Sequence, residues 1–113
     1  MITTNLYGPY ELTAKEIDRV VQNVSPGAYA LGKVKEGVFY VSRIGRSDND
    51  INNRLHDYVG DYVHFKYRYY DTKKAAFEKE CSLYHDFEPP DNVIHPDRPN
   101  GTYYSCPISS CDY

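Results

Sequence analysis

Apolar positions along the chain change their period several times, and each change marks an element. Over Leu12–Val24, Ile17, Val20, Val21 and Val24 recur at helical spacing, and Thr13 with Glu16 forms a capping-box pattern, which predicts a helix stopped by Ser25-Pro26-Gly27. Ala28–Lys33 (AYALGK) and Val38–Ile44 (VFYVSRI) are rich in β-branched and aromatic residues and predict two strands. Lys35-Glu36-Gly37 between them reads as a hairpin turn, so the strands are expected to be antiparallel neighbours. Gly45–Asn49 reads as a polar loop. Asp48 or Asp50 then caps a helix over about Ile51–Val59, with Ile51, Leu55 and Val59 four apart. His64–Tyr70 (HFKYRYY) predicts a third strand. Asp71 or Thr72 caps a last helix over Lys73–Phe87, which Pro89-Pro90 end.

Beyond Asp91 the period disappears. The tail to Tyr113 is rich in Pro, Gly, Ser and Asn, and keeps Ile94, Tyr103, Tyr104 and Ile108 to pack. The expectation is one domain over 1–113: an N-terminal helix at 12–24, a core at 27–92 and an irregular tail at 93–113. The order helix, hairpin, helix, strand, helix predicts a small three-stranded antiparallel or mixed sheet flanked by helices, of α+β or mixed α/β class. A chain of 113 residues buries one core with little to spare.

Composition changes this picture in three places. Thirteen Tyr and no Trp is an unusual aromatic set, suited to half-buried strands and binding faces, and packing explains most of it. The net charge of −3 gives no global signature of nucleic-acid binding, yet Lys33–Lys74 holds nine basic and six acidic residues, a local excess of +3 that can meet phosphates or simply face solvent. No apolar run is long enough to span a bilayer, and no export signal is visible in MITTNLYGPYEL. With an odd cysteine count (Cys81, Cys106, Cys111), this points to a reducing, cytoplasmic compartment rather than a disulfide framework.

Three side chains stand out chemically. On the last helix, Ala76, Leu83 and Phe87 form an apolar stripe, and Glu80 occupies the i+4 position of that stripe. A carboxylate there must be ion-paired, hydrogen-bonded, holding a cation, or turned to the rim. Arg54 precedes the core position Leu55, with Tyr58 one turn later; its guanidinium fork matches two phosphate oxygens, or its stem simply packs on Tyr58. Tyr29 follows Gly27 on the first strand, where a hydroxyl can orient water or merely pack.

Taken in order, these residues resemble the GIY-YIG nuclease family. The first motif stands here as Gly27-Ala28-Tyr29 and the second as Arg43-Ile44-Gly45. Arg54-Leu55 opens a helix with Tyr58 after it, and the fourth motif reads Ala76-x-x-x-Glu80-x-x-Leu83-Tyr84-x-x-Phe87-x-Pro89-x-x-Asn92. The resemblance covers Gly27–Asn92 and implies a three-stranded sheet flanked by helices. It implies metal-dependent hydrolysis of nucleic-acid phosphodiesters, DNA first, with Mg²⁺ or Mn²⁺ on Glu80. Arg54 would hold the phosphate, Tyr29 the water, and Asn92 the phosphate or the helix end; Tyr58 and Arg43 complete the site. Arg43 stands where the family has a Tyr, and Tyr40 is expected on the opposite face of its strand. The polar loop before Arg54 is one residue longer than the family spacing. Arg43 favours a second reading: a module of the same fold that binds nucleic acid or a protein without cleavage. A partner protein or a homo-oligomer is the expected source of specificity. In the tail, His95, Cys106 and Cys111 suggest a zinc site, with Cys81 joining only if the tail folds back. CPISSC is wider than a C-x-x-C knuckle, so free, buried thiols are the expected state.

Overall fold

The computed structural model describes residues 3–113. Met1 and Ile2, part of the stretch read for an export signal, lie outside the described residues. Seven elements follow in order: strand β1 (Tyr7–Glu11), helix α1 (Ala14–Val20), β2 (Gly27–Lys35), β3 (Val38–Ser47), helix α2 (Ile51–His56), β4 (His64–Tyr69) and helix α3 (Lys73–Phe87). The α+β class stands, with helices on both sides of a sheet. The sheet has four strands rather than three, in the order β1-β4-β2-β3, and every pair is antiparallel.

Strand β2 lies at the centre and alternates cleanly. Tyr29 and Leu31 face α1 and α2, where Ile17, Val21, Ile51, Leu55 and Phe65 complete one core. Ala28 and Ala30 face α3, where Ile44 and Leu83 complete a second. The two alanines leave room for the long helix, and Gly27 lets Ile51 approach, since a Cβ there would collide with the Ile51 side chain and the Arg68 carbonyl. The β2–β3 hairpin turns at Glu36 and Gly37, both with positive φ (53° and 78°), which suits the right-handed twist of the strands.

The caps follow side-chain chemistry. Thr13, Asp50 and Thr72 each accept a hydrogen bond from the backbone N–H three residues on. The second half of the expected capping box is not made, because the Glu16 carboxylate turns to Arg19 instead. Helix α1 stops at Val20, so Val24 leaves the predicted stripe and is 82% exposed. Helix α2 likewise ends before Val59, which is exposed. No helix among the described residues is long and apolar enough to cross a membrane.

Strand β3 departs most from the predicted boundaries. It continues through Gly45, Arg46 and Ser47, which had read as loop. It also carries a bulge: Leu31 pairs with Arg43 but Gly32 pairs with Val41, leaving Ser42 extra. The bulge reverses the alternation, so Tyr40 (paired with Lys33) and Arg43 (paired with Leu31) share a face, contrary to the simple strand count. Along the free edge of β3, Asn92 takes both backbone groups of Ile44: its Nδ2 donates to the carbonyl and its Oδ1 accepts from the N–H, at 3.1 and 2.7 Å. The Asp91 N–H adds a bond to the Ser42 carbonyl. The chain after α3 thus covers an edge that would otherwise be open to pairing.

The tail is ordered against the outer face of α3. Tyr104, Ile108, Cys111 and Tyr113 pack around Phe77, Cys81 and Cys106 in a third apolar cluster. Two expected anchors do not pack: Ile94 and Tyr103 are exposed, Tyr103 almost completely at 97%.

Candidate functional site

At one end of the sheet, beside β3, a cleft of about 280 Å³ is lined by Tyr29, Arg43, Arg54, Tyr58, Glu80 and Asn92. These are the six residues singled out from the sequence, and they come from β2, β3, α2 and its following turn, α3 and the segment after it. The extension of β3 is what joins them. Gly45 sits opposite Tyr29 in the register, and a Cβ on Gly45 would run into the Tyr29 ring and hydroxyl, so the glycine is what lets the phenol lie across β3 into the cleft.

Tyr29 is almost fully buried and its ring packs on Tyr58, with centroids 5.9 Å apart. Burial, and then the neighbouring Tyr58, push its phenol well above the usual value. The hydroxyl therefore keeps its proton at neutral pH and can both donate and accept a hydrogen bond. Arg54 stands at the mouth with its side chain 51% exposed and one loose ion pair, 4.0 Å to Asp57. Its guanidinium is left free to meet an anion. Arg43 is more constrained: its Nε donates to the Tyr62 hydroxyl at 3.1 Å, which donates onward to Asp91 at 2.6 Å, and its guanidinium lies 5.7 Å from the Tyr58 ring centroid. Asn92 spends its amide on the Ile44 backbone, so its geometry makes it a holder of β3 rather than a phosphate ligand.

Glu80 is on the buried stripe as expected, 8% exposed. The sequence left open whether pairing or a cation satisfies it, and the structure supplies a partner. Arg46 Nη1 donates to Glu80 Oε1 at 2.6 Å and to the Asp97 carbonyl, and its Nε donates to Asp48 at 2.7 Å. Even so, the Glu80 carboxyl is pushed up to about 7: burial outweighs the opposing pull of Arg46, and Asp48 and Asp97 add repulsion.

Arg46, Asp48 and Asp97 are the members of the cleft that sequence reasoning missed. Arg46 had a signal: a carboxylate on a buried stripe needs a cation, and Arg46 is the β3 arginine whose parity, shared with Ile44, faces α3. Asp97 had none, because it arrives through the aperiodic tail. Three arginines and three carboxylates make the cleft close to neutral as built. For a small divalent cation the cleft offers carboxylate oxygens of Glu80, Asp48 and Asp97, although these do not converge as closely as the His and Cys donors of the tail do. Glu80 Oε2 accepts no hydrogen bond among the described residues, Asp48 and Asp97 are at hand, and Mg²⁺ takes one or two carboxylates while keeping waters and phosphate oxygens.

The tail residues gather elsewhere. His95, Cys106 and Cys111 come together with His85 of α3, while Cys81 is buried in the apolar cluster nearby.

No protein-family model, no curated protein and no solved structure matches this chain. The GIY-YIG resemblance therefore rests on the sequence motifs alone.

Proposed function

We propose that the chain is a divalent-metal-dependent endonuclease of GIY-YIG type, hydrolysing phosphodiester bonds of nucleic acid, DNA first. What carries the reading is that six residues chosen by motif line one open cleft, although they lie on five separate segments. In this reading Arg54 grips a non-bridging phosphate oxygen with its free guanidinium fork. The protonated Tyr29 hydroxyl, held across Gly45 and against Tyr58, accepts a hydrogen bond from the attacking water and fixes its line of approach. Arg43 adds charge at the cleft wall, held by Tyr62 and backed by Tyr58. Asn92 keeps β3, and with it Gly45 and Arg46, in place. Glu80 would hold Mg²⁺ or Mn²⁺, and the ion when bound would stabilise the charge that builds on the phosphate and on the leaving 3′ oxygen. As water adds to phosphorus the P–O3′ bond breaks; the water's proton passes to solvent and the 3′ oxygen takes one from it. A reducing, cytoplasmic setting suits the three unpaired cysteines.

Two observations favour the second reading, a module that binds without cleaving. The carboxylate meant for the metal already has Arg46 on it, and Arg43 stands where the family has a hydroxyl. Plasmid nicking with Mg²⁺ separates the two. The nuclease reading expects nicking that EDTA abolishes and that Glu80→Ala reduces by about 10²-fold or more. Retarded plasmid without nicking, indifferent to EDTA, supports the second reading. Nicking that survives Glu80→Ala overturns the first.

A further inference from the structure

The outer face of α3 carries a second cluster, independent of the cleft. One donor atom each from His85, His95, Cys106 and Cys111 lies within 4.8 Å of all the others. The residues come from three places: His85 from the last turn of α3, His95 from the segment that crosses it, and the cysteines from the end of the tail. Both histidines bury an Nε2 that has no hydrogen-bond partner. Such orphaned atoms are rare in a folded chain and ask for an explanation.

The tautomer of His95 sharpens the point. Its Nδ1 lies 2.9 Å from the Pro96 carbonyl, which can only accept. Nδ1 therefore carries the hydrogen, and in the neutral ring the buried, unpartnered Nε2 is a bare lone pair. A ring nitrogen bonded to a backbone carbonyl fixes the tautomer and orientation of the ring and leaves the other nitrogen as the one that can ligate a metal. Stacking on Tyr113, centroids 4.1 Å apart, holds the ring plane.

We propose that His85, His95, Cys106 and Cys111 bind one Zn²⁺ as a structural site that staples the tail to α3. Two sulfurs and two imidazoles without a carboxylate form a soft tetrahedral donor set suited to zinc and unsuited to Mg²⁺ or Ca²⁺. Zinc bonds of about 2.3 Å to sulfur and about 2.0 Å to nitrogen put such donors roughly 3.3–3.8 Å apart, so the observed group closes by only about 1 Å or slightly more. Four protein ligands leave no open position, which marks a structural rather than a catalytic ion. The staple would also tie down segment 91–113, which has no helix or strand of its own. It bears on the cleft, because Asp97, two residues after His95, lends its carbonyl to Arg46.

The test is metal content of the full chain purified under reducing conditions and loaded with Zn²⁺ alone. The proposal expects one zinc per chain, retained through desalting. It is lost in Cys106→Ser and in His95→Ala, but kept in Glu80→Gln, whose change lies in the other site. Because the cysteine variant can fail to fold, Co²⁺ titration of the unaltered chain gives a second readout. One equivalent should produce the thiolate charge-transfer and intense d–d bands of a tetrahedral sulfur site, and Zn²⁺ should erase them. Less than a tenth of an equivalent of zinc, a Co²⁺ spectrum without thiolate bands, or a Cys106–Cys111 disulfide in the reduced preparation overturns the proposal.

Discussion

Arg46 and Glu80 meet at 2.6 Å across the junction of β3 and α3, each side chain only about one-tenth exposed. The pair joins the end of the edge strand to the middle of the last helix, and through Asp97 to the tail. It also defines the chemical state of the cleft, because whatever binds there must share Glu80 with Arg46. A partly desolvated ion pair adds little net stability, but removing one member strands the other.

Arg46→Met tests that asymmetry. It leaves the Glu80 charge without its cation, which costs about 2–4 kcal/mol when the carboxylate is ionised. Below its raised titration point Glu80 takes a proton instead and the cost shrinks. Urea unfolding should show a large loss at pH 8 and a much smaller one at pH 5.5. Equal losses at both pH values would mean that Arg46 acts by packing on Phe77, whose ring centroid lies 5.2 Å from its guanidinium, rather than by charge.

The unaltered chain should itself respond to pH. Burial raises Glu80 from an ordinary 4.5 to about 7, so between these values the folded chain holds a proton that the unfolded chain has released. The contribution is full below about 4.5 and is lost as pH rises through 7. The loss is on the order of 3 kcal/mol across that window. Unfolding of metal-free protein from pH 4.5 to 8 should show this decline, and Glu80→Gln should flatten it. A slope unchanged in Glu80→Gln assigns the titration to another group.

Much of this arrangement was legible in the sequence. The extent of α3, expected over about Lys73–Phe87, is legible because Asp71 and Thr72 both offer a cap, of which Thr72 is the one used, and Pro89-Pro90 forbid continuation. Glu80 stood out because one face of that helix is otherwise apolar. Strand β1 was not legible. Four of its five residues are exposed and it contains Gly8-Pro9, so no alternation marks it and only pairing with β4 makes it a strand. The bulge at Ser42 was equally hidden, since a single strand does not reveal where its partner loses register. Asp97 illustrates the same limit: it meets Arg46 from 51 residues away, through a tail in which nothing is periodic. His85 was passed over for Cys81, because a spacing argument cannot tell which face of α3 the tail meets.

Gly45→Ala probes the close approach that opens the cleft. The added Cβ meets the Tyr29 ring and hydroxyl, and a buried ring between Tyr58 and β3 has little room to move. Overpacking of this kind costs about 1–3 kcal/mol. Under the nuclease reading, nicking should fall together with stability, while Gly37→Ala, where an added Cβ meets nothing, should leave nicking unchanged despite its strained turn. Full stability and full nicking in Gly45→Ala would show that the position of the phenol is immaterial.

Asn92→Ala should behave as a structural change. It removes two hydrogen bonds to Ile44 and reopens the edge of β3, costing about 1–3 kcal/mol. Asn92→Asp keeps the acceptor for the Ile44 N–H but loses the donor to its carbonyl, so it should fall between. If nicking per folded molecule drops 10²-fold in Asn92→Ala while its unfolding midpoint is unmoved, Asn92 contacts the phosphate after all.

Arg54 is expected to show the opposite signature. Its side chain is half exposed and its one ion pair is stretched to 4.0 Å, and exposed pairs of that kind contribute less than about 1 kcal/mol. Arg54→Ala should therefore leave the unfolding midpoint nearly unchanged. If its guanidinium holds a phosphate oxygen only as charge develops, the same change should lower the rate of nicking by about 10²–10³-fold. Arg54→Lys keeps the charge but not the fork, so it should recover part of the loss and no more. The pair of measurements separates a phosphate grip from general attraction. Full recovery by lysine points to a diffuse basic surface, and a fall in stability that matches the fall in activity points to a packing role against Tyr58.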